Sequence, residues 1–342
     1  MGKIASFYYL SHNTMSIFTQ SLEENLTVDQ YLYILCNSYE YNELPVRHNE
    51  ELLNEELAKL CRYSVDQYSY DSPHTKAFLL LQAHFSRLPL PCTDYNTDLK
   101  SVLDQAIRII QAMIDTVAER GWLTSTLRIM QLFQMIVQAR WMDESAITTL
   151  PHIKKQDLHL FSSLSMALPV LCFNTRDNYK KLAKILCRDY LEEQIREIHE
   201  VIRDMPIISV DLMLESSWSI DAEKKKITLK PNNVDSMIVR RNEEYTLIVG
   251  LKRLNASKNL KAHCPMFLKG KDESWFLVLG DIQNKELWAL KRVSGINSQQ
   301  RYHQLQFTAP NSLGKTKLTF YLISDCYIGL DQQYDIYLNV TC

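Results

Sequence analysis

Four groups of residues have types and spacings that bear on chemistry. Gly314-Lys315-Thr316 has the ending of a phosphate-binding loop, in which clustered glycines let backbone N–H groups wrap a phosphate. That loop needs a glycine five residues earlier, where Ala309 stands, and its flanks read as strand–turn–strand instead of strand–loop–helix. Glu193, Glu197, His199 and Glu200 crowd one segment. A carboxylate-bridged di-metal helix wants Glu-x-x-His, and Arg196 occupies the glutamate's place, so the pattern reads as a solvated face held by Glu192–Arg196 pairing. The histidines form no H-x-x-x-H or H-E-x-x-H, and no G-x-S-x-G elbow exists. His84, inside Leu79–Leu88, reads as a core histidine that hydrogen-bonds between helices. No catalytic, metal or cofactor site is expected in this chain. The fourth group is polar. Opposite an apolar stripe of Leu99, Leu103, Ala106, Ile110, Met113 and Val117 lie Ser101, Asp104 or Gln105, Arg108, Gln111 and Asp115. Gln105, Arg108 and Gln111 are the candidate contacts to a phosphodiester backbone or a stacked base. The alternative is an ordinary exposed helix face, and a channel-lining role requires an opposite wall from another domain.

The elements that carry these groups change character near Pro206. Before it the periodicity is helical. Thr27 to Gln30 has capping-box spacing, Asn49 is placed to cap Glu50–Leu60, and Ser72-Pro73 opens a helix that stops before Pro89. The apolar stripe predicts a helix over Leu99–Arg120 with Gly121 as its stop, another from about Ser125 to Trp141, and a pair over Asp177–Asp204 broken near Tyr190. After Pro206 the period becomes two, in Ile208–Leu214, Tyr245–Leu251, Leu318–Leu322 and Tyr334–Val340. With Lys226–Lys230, Trp275–Leu279, Leu287–Val293 and Leu305–Ala309 that makes about eight short strands, the spacing of an immunoglobulin-like sandwich. The fold class is therefore multidomain, α then β. Residues 1–150 form a helical bundle, 151–205 a small helical domain, and 206–342 an immunoglobulin-like or fibronectin-III-like β-sandwich without the antibody disulfide.

Composition narrows the function classes. The 342 residues are 46% hydrophobic and 23% charged with net charge −2, which argues against disorder and against a basic nucleic-acid-coating protein. The 8 glycines fall well below the usual ~7%, and only Gly2 and Gly121 precede residue 205, so a nucleotide-binding core is excluded. Charge divides with the pattern. Residues 1–205 carry 20 basic and 26 acidic side chains, and residues 206–342 carry 18 and 14. The basic excess of the second half, including Lys224-Lys225-Lys226 and Arg240-Arg241, reads as solvated strand ends. The 8 cysteines lack any C-x-x-C pair and read as reduced thiols. No apolar run approaches the ~18 residues of a membrane span.

Several stretches together resemble a known family: Gly2–Leu10 (GKIASFYYL), Leu44–Glu50 (LPVRHNE), Asp71–Lys76 (DSPHTK) running into Leu79–Arg87, Gly121-Trp122-Leu123, and Ser324–Tyr334. The chain is similar, along essentially its whole length, to the Sec-sixty-three homology module attached to Ski-like superfamily 2 helicases. The resemblance implies a helical bundle, a small helix-hairpin-helix-like domain and an immunoglobulin-like sandwich. It also implies a non-catalytic accessory module of a 3′-to-5′ helicase acting in DNA alkylation repair, transcription coactivation and ribosome rescue. Its alternative within that family is a pure protein-interaction scaffold, as in a spliceosomal cassette or a translocon-type adaptor. One bundle helix of the family lines the strand channel as a ratchet, and Leu99–Arg120 matches it by position, which carries Gln105, Arg108 and Gln111 over as strand contacts. The implied partners are helicase motor domains in cis, other subunits of a cointegrator-type complex and, weakly, single-stranded nucleic acid, with no membrane. ATP and Mg would belong to the motor alone, and the compartments would be nucleus and cytosol.

Overall fold

The structure is a computed structural model that describes residues 2–162, 167–173, 175–216, 227–229, 236–255 and 260–342. The chain forms two compact units, Met1–Asp143 with Cys264–Gly270, and Glu144–His263 with Lys271–Cys342. Seven α-helices build the first: α1 (Gly2–Tyr8), α2 (His12–Ser21), α3 (Val28–Cys36), α4 (Glu50–Ala58), α5 (Pro73–Ser86), α6 (Thr93–Glu119) and α7 (Leu123–Gln138). Among its described residues, the second holds four shorter helices, α8 (Leu158–Ser162), α9 (Leu168–Cys172), α10 (Thr175–Leu186) and α11 (Glu192–Asp204), followed by nine strands. No helix among the described residues is long and apolar enough to cross a membrane.

Local sequence explains most helix starts. The Thr27 N–H donates to Gln30 Oε1 at 2.8 Å in the expected capping box. Pro73 takes the first turn of α5, where its missing N–H costs nothing. Asn49 does precede α4, but it sits at φ 66° and its side chain caps nothing. The Glu50 carboxylate instead accepts the Arg47 N–H at 2.8 Å. The long helix α6 starts at Thr93, six residues before the stripe's first apolar residue. Its buried face continues through Tyr95 and Asp98, and a charged residue on the inner face hides the helical period. At 27 residues it spans about 40 Å. Its stop is as expected. The Gly121 N–H bonds the Ala118 carbonyl at 3.0 Å and the Trp122 N–H that of Val117 at 3.2 Å, a Schellman closure with Gly121 at φ 74°.

Scarcity of glycine shows in the other closures. Tyr9, Arg87 and Ala139 follow α1, α5 and α7 at φ 53°, 53° and 50°, where a Cβ is strained and glycine is the usual choice. Arginines bond the carbonyls at two of these ends. Arg108 Nη1 donates to the Tyr9 carbonyl at 2.6 Å, and Arg87 Nε to that of Ala139 at 2.9 Å. Arg120 Nη1 reaches the Leu22 carbonyl just past α2 at 2.6 Å. A cation at a helix C-terminus meets both unpaired carbonyls and the negative end of the dipole.

The strands form two sheets. β1 (Ile208–Ser216), β2 (Ile227–Leu229), β4 (Glu244–Arg253) and β7 (Arg301–Thr308) lie in the order β2-β1-β4-β7. The second sheet contains β3 (Met237–Arg240), β5 (Ser274–Asp281), β6 (Glu286–Ser294), β8 (Gly314–Ser324) and β9 (Gln332–Thr341), in the order β3-β9-β8-β5-β6. Among the described residues all pairs are antiparallel except β3 with β9. β3 is the strand the sequence did not announce, being four residues long with a distant parallel partner. β1 alternates as expected, whereas β4 is buried without interruption from Tyr245 to Leu251. Gly250 belongs to that run because a Cβ there would lie 2.9 Å from Gln300 Nε2 and 3.0 Å from the Tyr302 ring. The end of α11 is tied to β4. Asn255 Nδ2 donates to the carbonyls of Arg203 and Met205, each at 2.9 Å, and Arg253 Nη2 to that of Asp204. Lys224-Lys225-Lys226 lies outside the described residues.

The left-handed closure at Arg87 gives a signed expectation. Arg87→Ala and Arg87→Gly remove the same hydrogen bonds, but only glycine relieves the backbone. The glycine variant should therefore unfold at higher urea, by about 1 kcal/mol, reversing the usual order of the two residues. Alanine proving the more stable would contradict the closure.

Candidate nucleic-acid interface

Gln105, Arg108 and Gln111 share one face of α6, as their spacing requires, and all three are half-buried. Ser101 and Asp104 beside them are exposed. The Arg108 guanidinium is held on two sides. Nε donates to Gln105 Oε1 at 2.7 Å, Nη2 donates to the same oxygen, and Nη1 donates to the Tyr9 carbonyl. A guanidinium carries five N–H groups, so one on each terminal nitrogen remains for an acceptor such as a phosphate oxygen. Gln111 is engaged within the protein. Asp115, the last polar residue of the face, accepts from Tyr8 Oη at 2.6 Å, which pins α1 along α6. Tyr9, whose carbonyl accepts the Arg108 bond, is 86% exposed, and Phe7 two residues before it is 72% exposed and stands edge-on to Tyr8. These aromatics stand in the GKIASFYYL stretch, where the sequence marked the family but announced no site.

The frame that sets α6 in place is a charge network the sequence analysis did not identify. Lys76 on α5 is fully buried. Its Nζ donates to Glu50 Oε2 at 2.6 Å, Asp98 Oδ2 at 2.6 Å and the Pro45 carbonyl at 2.8 Å. Three donors thus meet three acceptors. The Tyr95 ring covers the ammonium at 4.5 Å. Arg47 binds Glu50 at 2.9 Å, Asp98 at 2.7 Å and, at the surface, Asp94 at 3.7 Å, so the two buried carboxylates face two cations. Burial alone would raise the Glu50 and Asp98 carboxyls, but the bonds from Lys76 and Arg47 outweigh it and hold both below the ordinary range. Arg47, Glu50 and Lys76 belong to LPVRHNE and DSPHTK, and the signal that could have found them is a charged residue on the inner face of a helix.

The remaining candidates resolve into structure. Gly314-Lys315-Thr316 opens strand β8, with Lys315 opposite Asn339, and no helix follows it. On α11, Arg196 pairs with Glu193 at 3.6 Å instead of Glu192. Glu197 accepts His152 Nε2 at 2.6 Å. Among the described residues no group of three His, Cys, Asp or Glu side chains could hold a metal ion. His84 Nε2 bonds the Ile136 carbonyl at 2.8 Å between α5 and α7. Burial pushes its pKa down to about 4, so it is a neutral core histidine.

Residues 1–337 match the family described as Sec63 Brl domain. The human activating signal cointegrator 1 complex subunit 3 is 40% identical over 366 residues, which cover 99% of this chain and 17% of the relative. The Arabidopsis thaliana DExH-box ATP-dependent RNA helicase DExH14 is 39% identical over 340 residues, 98% of this chain and 14% of the relative. The human U5 small nuclear ribonucleoprotein 200 kDa helicase is 30% identical over 345 residues, 99% of this chain and 15% of the relative. The chain thus spans 14–17% of the length of these relatives.

The network supplies a stability test. Lys76→Met leaves two carboxylates buried without their ammonium and should cost about 3–5 kcal/mol in urea unfolding. The wild-type contribution of Glu50 and Asp98 is present in full above their unfolded values, near 4.3 and 3.9. It is lost as pH falls through their lower folded values, so acid unfolding should move to higher pH in the variant. A loss under about 1 kcal/mol, with the acid midpoint unmoved, would contradict the network's role.

Proposed function

The chain belongs to the Sec63 Brl domain family, and we propose that it is the non-catalytic accessory module of an ATP-dependent nucleic-acid helicase, with α6 as one wall of the strand channel. The observation that carries this reading is the Arg108 guanidinium. It is oriented by Gln105 and the Tyr9 carbonyl, and keeps two N–H groups available at the backbone of a tyrosine whose side chain is exposed. A strand needs such contacts in weak, repeated form, because a translocating chain must be gripped and released. Gln111, one turn along, and Gln105 continue the polar track without adding net charge.

The finer parts of the reading rest on the resemblance. Motor domains lying in cis in a longer protein would supply ATP, Mg and the opposite wall, and would unwind 3′ to 5′. The second unit divides at Pro206 into a small helix-hairpin-helix-like domain (151–205) and an immunoglobulin-like sandwich (206–342). The division between strands β1, β4, β7 and strands β9, β8, β5, β6 supports that sandwich, which would dock further subunits of a cointegrator-type complex. DNA alkylation repair, transcription coactivation and ribosome rescue, in nucleus and cytosol, are the settings that follow. The rival is a pure protein-interaction scaffold, favoured by the acidic excess of residues 1–205 and by Asp104 on the same face as Arg108.

Strand binding by the motor-containing protein separates the two readings. Arg108→Ala should weaken single-strand binding by about threefold to tenfold and flatten its salt dependence by roughly one phosphate contact, with strand-independent ATP hydrolysis unchanged. Asp104→Lys adds a cation to the exposed face without touching α1, and should strengthen binding in the same assay. Neither variant changing affinity would remove the strand wall and leave the scaffold.

A further inference from the structure

We infer that the first unit carries a preformed cleft for a short basic peptide with an apolar anchor, on residues that the strand reading does not use. The cleft, of about 810 Å³, lies between α3 and the segment 63–72, with the start of α5 as its floor. Asp29, Tyr33 and Asn37 follow one another at four-residue steps along the α3 side. The Tyr33 ring is 60% exposed and stands edge-on to Phe78 at 6.0 Å. Phe78 beneath it is buried, so the exposed Tyr33 ring is backed by the core and presents apolar surface to the cleft.

The opposite wall is anchored from below and cannot fold onto Tyr33. Buried Gln82 accepts the Tyr63 N–H at 2.6 Å and donates to the Tyr63 carbonyl at 3.2 Å. Buried Asn54 donates to the Tyr70 carbonyl at 2.8 Å. The two side chains are helical residues of α5 and α4, so the wall inherits the rigidity of the bundle. A cleft held open this way is available without a closing motion, which lowers the ordering cost of binding.

Charge identifies the occupant. Glu23, Asp29 and Asp66 line the cleft, and no lysine or arginine does. Among the described residues none of the three carboxylates is in an ion pair, and that of Asp66 accepts the Tyr68 N–H at 3.1 Å. Three carboxylates around an aromatic floor repel phosphates and favour a cationic ligand with an apolar side chain. From Asp29 to Asn37 the helix rises about 12 Å, the length of three to four extended residues. A peptide segment with one large apolar side chain against the Tyr33 ring, flanked by arginine or lysine, meets all of these conditions. A nucleic-acid strand meets none of the charge condition.

The probe is a fluorescein-labelled peptide, Arg-Lys-Leu-Arg-Phe-Arg, titrated with the whole chain and read by anisotropy. Saturable binding is expected, weakened about tenfold when Leu and Phe are replaced by Ser. The Asp29→Lys/Asp66→Lys variant and Tyr33→Ala should each weaken it by a similar factor, with circular dichroism unchanged. In NMR spectra the peptide should move the Tyr33 and Phe78 ring resonances, and a single-stranded oligonucleotide should not. The proposal is overturned by absence of saturable binding, by equal affinity of the serine peptide, or by an oligonucleotide shifting Tyr33. The two wild-type peptide comparisons decide it even if a variant fails to fold. Strand binding by α6 can fail or succeed without touching this result.

Discussion

A single buried ammonium fixes where α4, α5 and α6 can lie. Lys76 brings Glu50, Asp98 and the Pro45 carbonyl onto three hydrogen bonds at 2.6, 2.6 and 2.8 Å. Taking these charges out of water is costly, and an apolar substitute of the same shape could match the net stability. What an apolar contact would not supply is direction. Each N–H has one acceptor, so a shift of any helix along its neighbour leaves a charge unpaired. Arg47 repeats the constraint from the surface side by reaching both Glu50 and Asp98. The network is best understood as specifying register, and the helix it registers is the long one that carries the polar track.

A second constraint follows from the shortage of glycine. Three helices close on Tyr9, Arg87 and Ala139 in the left-handed region, and arginines bind the carbonyls at two of these closures. Arg108 is one of those arginines. Its position in the fold therefore has two consequences: it ties α1 to α6, and it holds a guanidinium in one orientation at the end of α1. A residue with a structural partner on one side and available N–H groups on the other is already oriented in the free protein, which is what preorganisation requires. The acidic cleft around Tyr33 shows the opposite charge character within the same unit, so one helical frame can present distinct faces to distinct partners.

Much of this architecture was legible in the sequence. The break at Pro206, the capping box at Thr27, the stop at Gly121 and the break near Tyr190 all depend on neighbouring residues, and local signals report them well. Features set by distant partners were not legible. Lys76 stands 26 residues from Glu50 and 22 from Asp98, and nothing in either helix's own pattern shows that these charges point inward. Asp98 in fact hid the first six residues of α6. The four residues of β3 alternate too briefly to read, and their parallel partner lies some hundred residues on. Gln105, Arg108 and Gln111 were placed on one face by spacing alone. That Arg108 would meet the carbonyl of Tyr9 required the path of α1, which no periodicity encodes. The wall of the Tyr33 cleft has no periodicity at all and is held by two buried amides.

A charge network sets the long helix and arginine caps fasten its neighbours; in the function we propose, the helix's outer face would be the wall along which a strand is drawn by a motor. Site-specific photocrosslinking in that motor-containing protein tests the wall directly. A benzophenone side chain placed at Ser101 or Asp104, both exposed on α6, should crosslink a single-stranded oligonucleotide during ATP-driven unwinding. The same group at exposed Leu52 on α4 should not. Equal crosslinking at all three positions, or none at the α6 positions while the protein unwinds, would contradict the strand wall.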